Sequence, residues 1–228
     1  MGLETSELLA RLLEGKLAPG KVTLIYGCGG ADKTNIAIIC AISYANEGKT
    51  VLYFDAEGSF SRLRLNQTLK DYPLAGHHIF LTRARTFKEQ GKFIRGLDAY
   101  VTKNVDLIVF DSINFLYRVD LESFSNVTYN LNREINFQMA FLKNLALDHN
   151  VCVLITSQVR QSMKTEKVEP VAADILTRWS DVIVSLTPNE AKQETVATLE
   201  KPSGDHISKP FKWLKYRLWL KENIQDRS

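Results

Sequence analysis

One octapeptide constrains the fold more than any other part of the sequence. It reads Gly27-Cys28-Gly29-Gly30-Ala31-Asp32-Lys33-Thr34 and follows KVTLIY, an apolar run typical of a buried strand. A helical run begins at its last residue. A turn in this position points backbone N–H groups at one spot, where they can surround a phosphate. Its lysine can reach the terminal phosphates and its threonine hydroxyl can hold Mg²⁺, so the octapeptide predicts a phosphate-binding loop.

Asp32 departs from this pattern, which has a glycine before the lysine. A carboxylate at ~4–6 Å from a phosphate costs about 3–4 kcal/mol at an effective dielectric constant near 20. If the loop needs a positive φ, the side chain adds a penalty of about 1–2 kcal/mol. We therefore expect ATP affinity to be lower by about two to three decades. On the octapeptide alone, a glycine-rich turn without nucleotide remains an alternative.

The rest of the chain alternates short apolar runs with longer helical stretches. Strands are predicted over residues 21–26, 50–54, 78–81, 106–110 and 151–156, and helices over 34–46, 87–103 and 130–149. This alternation is typical of a parallel sheet covered on both faces. Closely spaced strands follow over residues 182–186, 195–199 and 213–220, with a turn or loop over 200–210. We expect an α/β fold with a mostly parallel central sheet, helices on both faces and an antiparallel C-terminal extension.

Polar residues stand at the ends of three further predicted strands. Asp111 follows the run LIVF, Glu57 lies just after the second strand, and Ser157-Gln158 follows VCVLIT. Open α/β sheets bind ligands outside the carboxyl ends of their strands. The four strand ends are therefore expected to meet at one site.

Length and composition exclude several classes of protein. The chain has 228 residues, of which 45% are hydrophobic and 24% charged, the balance of one globular domain. Its longest apolar run falls well short of the ~20 residues that a membrane span needs. Disordered, collagenous, secreted and membrane classes are therefore not expected.

Together these residues resemble the RecA-type recombinase ATPases, most closely the archaeal paralogues of the main recombinase. The resemblance runs over nearly the whole chain and includes YFDAEGSFS at residues 53–61 and TFKEQ at residues 86–90. It implies a RecA-like ATPase core as a single domain over residues 1–228, with no DNA-binding domain ahead of it. It also implies a cytoplasmic protein associated with the nucleoid. The implied partners are single-stranded or branched DNA, bound with little sequence specificity, a recombinase or other recombination protein, and further copies or relatives in an oligomer.

The resemblance implies that ATP and Mg²⁺ are the cofactors. The loop from Gly27 to Thr34 would surround the phosphates, with Lys33 on the phosphate oxygens. Thr34 and Asp111 would serve the metal ion. Arg64 would pack on the adenine.

The resemblance also assigns catalytic roles. Glu57 would polarise the attacking water, Lys33 would contact the transferred phosphate, and Gln158 would couple that phosphate to the loop that follows it. Asp32 puts hydrolysis in doubt. Ser157, where the family usually has asparagine, is a milder departure.

Two loops of this family face DNA, and they correspond here to residues 117–128 and 160–168. The second contains Arg160, Lys164 and Lys167 against Glu166, a net charge of +2. Such cations would give non-specific, salt-sensitive contacts with phosphates. From charge alone, a solvated polar loop is the better interpretation.

The function expected from these features is that of a RecA-family DNA repair and recombination protein. It would bind ATP, hydrolyse it weakly, and assist homologous recombination by binding DNA or the main recombinase. One alternative, favoured by Asp32, is a pseudo-ATPase scaffold or mediator that does not turn over nucleotide. A second alternative is a KaiC-like regulatory ATPase.

Overall fold

The computed structural model describes residues 17–58, 60, 75–101, 105–123, 128–161, 168–189, 194–201 and 211–212. The strands in these ranges are β1 Val22–Gly27, β2 Thr50–Asp55, β3 Ile79–Thr82, β4 Val105–Asp111, β5 Cys152–Ser157, β6 Val159–Gln161, β7 Val168–Pro170, β8 Val182–Asn189, β9 Glu194–Lys201 and β10 Phe211–Lys212. The helices are α1 Lys33–Asn46, α2 Phe87–Gly96, α3 Phe115–Ser123, α4 Thr128–His149 and α5 Ala173–Trp179. Short 3₁₀ turns lie at Ala75–His77 and Leu97–Ala99.

A central sheet carries the fold, in the order β10-β9-β8-β1-β5-β4-β2-β3. The six strands from β8 to β3 are parallel to one another. β9 runs antiparallel to β8, and β10 runs antiparallel to β9. The expected α/β class, with a mostly parallel sheet and an antiparallel C-terminal extension, is confirmed. A separate two-stranded hairpin of β6 and β7 follows β5.

Both faces of the sheet are covered, which explains why its inner strands are largely apolar. On one face, α1 packs against a cluster that includes Ile25, Tyr53 and Leu154. On the other face, α2, α4 and α5 pack against a second cluster that includes Phe54 and Phe110. Within the described ranges no helix has both the length and the apolar character needed to cross a membrane.

The strands β1, β5, β4 and β2 are direct neighbours in the sheet. Their carboxyl ends carry the glycine-rich loop, Ser157-Gln158, Asp111-Ser112 and the segment that contains Glu57. Because parallel strands end at the same edge, the four strand ends predicted to meet do lie side by side.

Besides shifts of one to three residues at the ends of several elements, four predictions differ from the structure, the first two of them in helices. The helix predicted over residues 87–103 ends at Gly96, because the chain tightens into a 3₁₀ turn in which Tyr100 N–H donates to Leu97 O at 2.9 Å. The predicted loop over residues 117–128 begins as helix α3. Tyr117 is buried there because its ring packs edge-on against Phe87 at 5.8 Å.

The other two differences are at the C-terminal edge. β8, expected to belong to the antiparallel part, pairs parallel with β1, and the direction reverses only at β9. The loop predicted over residues 200–210 does not include Glu200 and Lys201, which continue β9. Glu200 accepts a hydrogen bond from the Tyr26 hydroxyl at 2.7 Å, which holds this end of the strand. The strand predicted over 213–220 lies outside the described residues.

Candidate nucleotide site and adjoining basic hairpin

The glycine-rich loop closes around its own lysine. Lys33 Nζ donates to the carbonyl oxygens of Gly27 at 2.7 Å and Cys28 at 2.8 Å, and Ala31 N–H donates to Cys28 O to form a turn. Burial lowers the pKa of Lys33, and the negative charges of Glu57, Asp111 and Asp32 oppose that shift. The ammonium group is therefore held at the loop by weak carbonyl acceptors, which phosphate oxygens can replace.

Two residues of this loop are set by the backbone. A Cβ at Gly27 would lie 2.6 Å from Leu186 O of the neighbouring strand β8, so glycine is required for β1 and β8 to pair at this position. Asp32 adopts φ 61° and ψ 19°, the left-handed conformation expected for the pattern's glycine. Aspartate tolerates this conformation better than most residues, and the carboxylate is further occupied by a bond from Asn35 Nδ2 at 2.7 Å.

Asp111 lies at the centre of the site and is 1% exposed. It accepts hydrogen bonds from Tyr53 Oη at 3.0 Å and Thr156 Oγ1 at 2.6 Å. Burial raises the pKa of Asp111, and hydrogen bonds from Thr156, Thr34 and Tyr53 partly oppose the shift. Thr34 lies close enough to Asp111 to act on its pKa, so the two residues predicted to serve Mg²⁺ are brought together.

Glu57 is held by a turn that its own segment provides. Asp55 accepts backbone N–H bonds from Gly58 at 2.8 Å and Phe60 at 3.0 Å, which fixes the chain on both sides of Glu57. Glu57 Oε1 then accepts Ser112 Oγ at 2.6 Å and Gln158 Nε2 at 2.8 Å. The structure therefore brings together Glu57 and Gln158, which are 101 residues apart in the chain.

Asn114 is a residue of this site that sequence reasoning missed. It is 1% exposed, and its Nδ2 donates to Ser157 Oγ at 2.8 Å, Val171 O at 3.1 Å and Gln158 O at 3.2 Å. Its Oδ1 accepts Gln158 N–H at 3.2 Å. The available signal was an amide three residues beyond Asp111, between the apolar residues Ile113 and Phe115.

The described ends of the predicted DNA-facing segment 160–168 lie in the strands β6 and β7 of the hairpin. Arg160 is exposed in β6 and lies opposite Glu169 of β7 in the antiparallel register. Lys164 and Lys167 lie outside the described residues, as does Arg64. β6 begins directly after Gln158, so Arg160 adjoins the nucleotide site.

A nucleoside triphosphate with Mg²⁺ fits the donor set of this site. An ammonium group, a hydroxyl beside a carboxylate and a helix N-terminus are the groups that hold phosphate and magnesium in proteins. Gln158 Oε1 is buried and has no hydrogen-bond partner among the described residues, so it can still accept a bond from a ligand or a water molecule. Asp32 is the one group of the loop whose charge opposes a phosphate.

Known proteins are similar to this chain in sequence and in structure. The family model described as Rad51 matches residues 3–212. The DNA repair and recombination protein RadB of Methanobrevibacter smithii is 34% identical over 206 residues, which cover 87% of this chain and 86% of the relative. RadB of Methanocaldococcus jannaschii is 34% identical over 212 residues, covering 92% and 96%.

A solved structure supports the same assignment. The crystal structure of the RadB recombinase superposes with a TM-score of 0.69 at 33% identity, covering 84% of this chain and 86% of that one. The Rad51 match and the identity to RadB extend over most of the sequence, including all four strand ends of the site. The chain therefore belongs to the Rad51 family, alongside the RadB proteins.

Proposed function

We propose that this protein is a DNA repair and recombination factor that binds ATP with Mg²⁺, hydrolyses it slowly, and binds DNA next to the nucleotide site. The observation that carries the proposal is the contact of Glu57 with Gln158 beside Lys33 and the Thr34–Asp111 pair. The Rad51 family match and the RadB relatives support a role in recombination.

Each residue of the site has a chemical task in this proposal. Lys33 would leave its carbonyl acceptors for phosphate oxygens, while Thr34 and Asp111 would hold Mg²⁺. When bound, the metal ion neutralises phosphate charge that develops during phosphoryl transfer. Glu57 would orient a water molecule and accept its proton.

Two neighbouring side chains would keep Glu57 in place. Ser112 and Gln158 both donate to Oε1, which fixes the carboxylate and leaves Oε2 for the water. Burial excludes competing water from the floor of the site, since Asp111 and Ser112 are at most 1% exposed. The arrangement therefore supports water activation by one oriented carboxylate.

DNA contact would come from the basic hairpin. Arg160 is exposed two residues after Gln158, which contacts Glu57, and Lys164 and Lys167 follow it in sequence. We expect binding to single-stranded or branched DNA through phosphates, with little sequence preference. A recombinase and further copies of the chain are the protein partners that the proposal includes.

A second candidate function is a scaffold that does not turn over nucleotide. Asp32 favours it, because the carboxylate stands at the start of the loop helix, where a phosphate would bind. A scaffold would bind DNA or a recombinase and show no nucleotide hydrolysis at any ATP concentration.

Replacement of Glu57 by glutamine tests the proposed activity. Glutamine can still accept bonds through its carbonyl oxygen but cannot take a proton, so the hydrolysis rate should fall about 100-fold or more while nucleotide binding is retained. The control is Glu47→Gln, an identical change just after α1, where the carboxylate pairs with Lys49 at the surface. Phosphate release and nucleotide binding would be measured with and without single-stranded DNA.

The outcomes separate the two candidates. Hydrolysis that Glu57→Gln removes and Glu47→Gln preserves supports the ATPase. DNA binding without hydrolysis in the unaltered protein supports the scaffold. Equal hydrolysis in all three proteins would show that Glu57 is not the catalytic group.

A further inference from the structure

We propose that Asn114 is the positioning residue that transmits nucleotide occupancy from the site to the basic hairpin. The inference rests on the proposed function, since it concerns how the nucleotide site controls DNA contact. The buried amide of Asn114 would supply a link to the hairpin that the residues proposed to bind phosphate do not provide by themselves.

Asn114 ties together the two ends of the hairpin. Gln158 stands just before β6 and Val171 just after β7, and both are bonded to the same side chain. Val171 N–H also donates to Gln158 O at 3.0 Å, so the entrance and exit of the hairpin are held as one unit. Arg160 of β6 belongs to that unit, two residues beyond Gln158, and Lys164 and Lys167 follow it in sequence.

The turn that bears Asn114 also faces the nucleotide site. Asp111 and Ser112 precede it by three and two residues, and Ser112 donates to Glu57. A change at the site that moves this turn therefore moves Asn114, and with it both ends of the hairpin. Packing makes such a link stiff, because Asn114 and Ser157 are buried.

Gln158 alone gives a weaker connection. Its side chain contacts Glu57, but its backbone reaches the turn through Asn114, which bonds both its N–H and its carbonyl oxygen. Without Asn114, the side chain of Gln158 can change partners while the hairpin stays where it is. Asn114 therefore couples a change of partner by the Gln158 side chain to a displacement of the hairpin backbone.

Asn114→Asp tests this role with almost no change of shape. A carboxylate can still accept Gln158 N–H but cannot donate to the carbonyl oxygens of Gln158 and Val171. The control is Asn136→Asp, which adds the same charge where Oδ1 only accepts Trp179 Nε1. Affinity for fluorescein-labelled oligo-dT would be measured by anisotropy, without nucleotide and with a saturating non-hydrolysable ATP analogue, and analogue binding would be measured separately.

In the unaltered protein and in Asn136→Asp, the analogue should change DNA affinity about fivefold or more, the lower range of allosteric coupling. In Asn114→Asp the ratio of the DNA affinities with and without the analogue should lie close to one, while affinity for the analogue is retained. A ratio unchanged from the unaltered protein would overturn the inference. So would the absence of any nucleotide effect in the unaltered protein, and absence of DNA binding altogether would refute the proposed function as well.

Hydrogen exchange provides a test that does not depend on the folding of a variant. In the unaltered protein, adding the analogue should change the protection of the amides of Gln158 and Val171 together. Far-UV circular dichroism would show whether Asn114→Asp is folded. If the analogue binds and changes the exchange of neither amide, the hairpin is not coupled to the site through Asn114.

Discussion

At the scale of single residues, Asp32 decides how well the loop can accept a phosphate. Its backbone is left-handed, as expected for the glycine of the pattern, but aspartate adopts this conformation at little cost. The steric part of the penalty expected from sequence is therefore small. The charge remains, and because Asp32 is only half-buried, solvent screens part of it.

Replacing Asp32 by glycine should raise ATP affinity about 10- to 100-fold, because each decade corresponds to about 1.4 kcal/mol and the screened repulsion amounts to about 1–3 kcal/mol. Asp32→Asn is the informative companion, since it removes the charge and keeps the side chain. If charge dominates, both variants gain equally. Titration calorimetry with ATP and Mg²⁺ measures all three proteins.

Two results would contradict this account. Equal affinities in all three proteins would show that the loop has accommodated the carboxylate. A gain in Asp32→Gly that is absent from Asp32→Asn would show that close approach of the backbone, rather than charge, limits binding.

At the scale of elements, a polar network joins α2 to α4 in the core beneath the site. Gln90 is fully buried and its Nε2 donates to Ile113 O and to Gln138 Oε1, both at 2.9 Å. Gln138 in turn donates to Glu134 at 3.0 Å, and Glu134 pairs with Arg95 at 2.9 Å. The network holds the segment that leads from Asp111 to Asn114, because Ile113 belongs to that segment.

Gly91 leaves room for this network. A Cβ there would lie 2.9 Å from Arg95 Nη2 and 3.0 Å from Gln138 Nε2, and closer still to Glu134 Oε1. Gly91→Ala should lower the free energy of unfolding by about 1–2 kcal/mol, since the overpacking outweighs the helix propensity that alanine adds. Urea unfolding followed by circular dichroism gives the value.

The matched control is Gly96→Ala in the same helix. Its Cβ would meet only Tyr100 Cε2, at 4.0 Å, so stability should stay equal or rise by up to about 1 kcal/mol. If Gly91→Ala proves as stable as Gly96→Ala, the side chains of the network yield more easily than their hydrogen bonds suggest.

The elements also show what a sequence can and cannot predict here. Local patterns were sufficient for the central strands, because β1, β4 and β5 are apolar along most of their length and are followed by polar residues. They were not sufficient for α3, where the burial of Tyr117 depends on Phe87 of another helix. Asn114 could not be identified because its partners lie 43 to 57 residues away, at positions that only the fold brings together.

At the scale of the whole molecule, charge is distributed unevenly along a chain whose net charge is only +3. Residues 201–228 hold seven Lys and Arg against three Asp and Glu, a net charge of +4, so the first 200 residues sum to −1. Against this background the net +2 of residues 160–168 stands out as a local positive segment. A polyanion should therefore be attracted to a few defined segments rather than to the whole surface.

Removal of the hairpin cations tests where DNA binds. The triple variant of Arg160, Lys164 and Lys167 to alanine should weaken binding to oligo-dT, because each cation that no longer meets a phosphate also no longer releases a condensed counterion. The slope of log affinity against log salt should become less steep by about 0.7 for each phosphate left without its cation on single strands. The control removes three other exposed cations, Lys21, Lys92 and Arg133, and should leave the slope unchanged. Anisotropy over a series of salt concentrations measures both.

An equal change of slope in both triple variants would mean that DNA binding responds only to the total charge of the protein. An unchanged slope in the hairpin variant would place the DNA-binding surface elsewhere. The segment of net charge +4 at residues 201–228 would then be the next site to test.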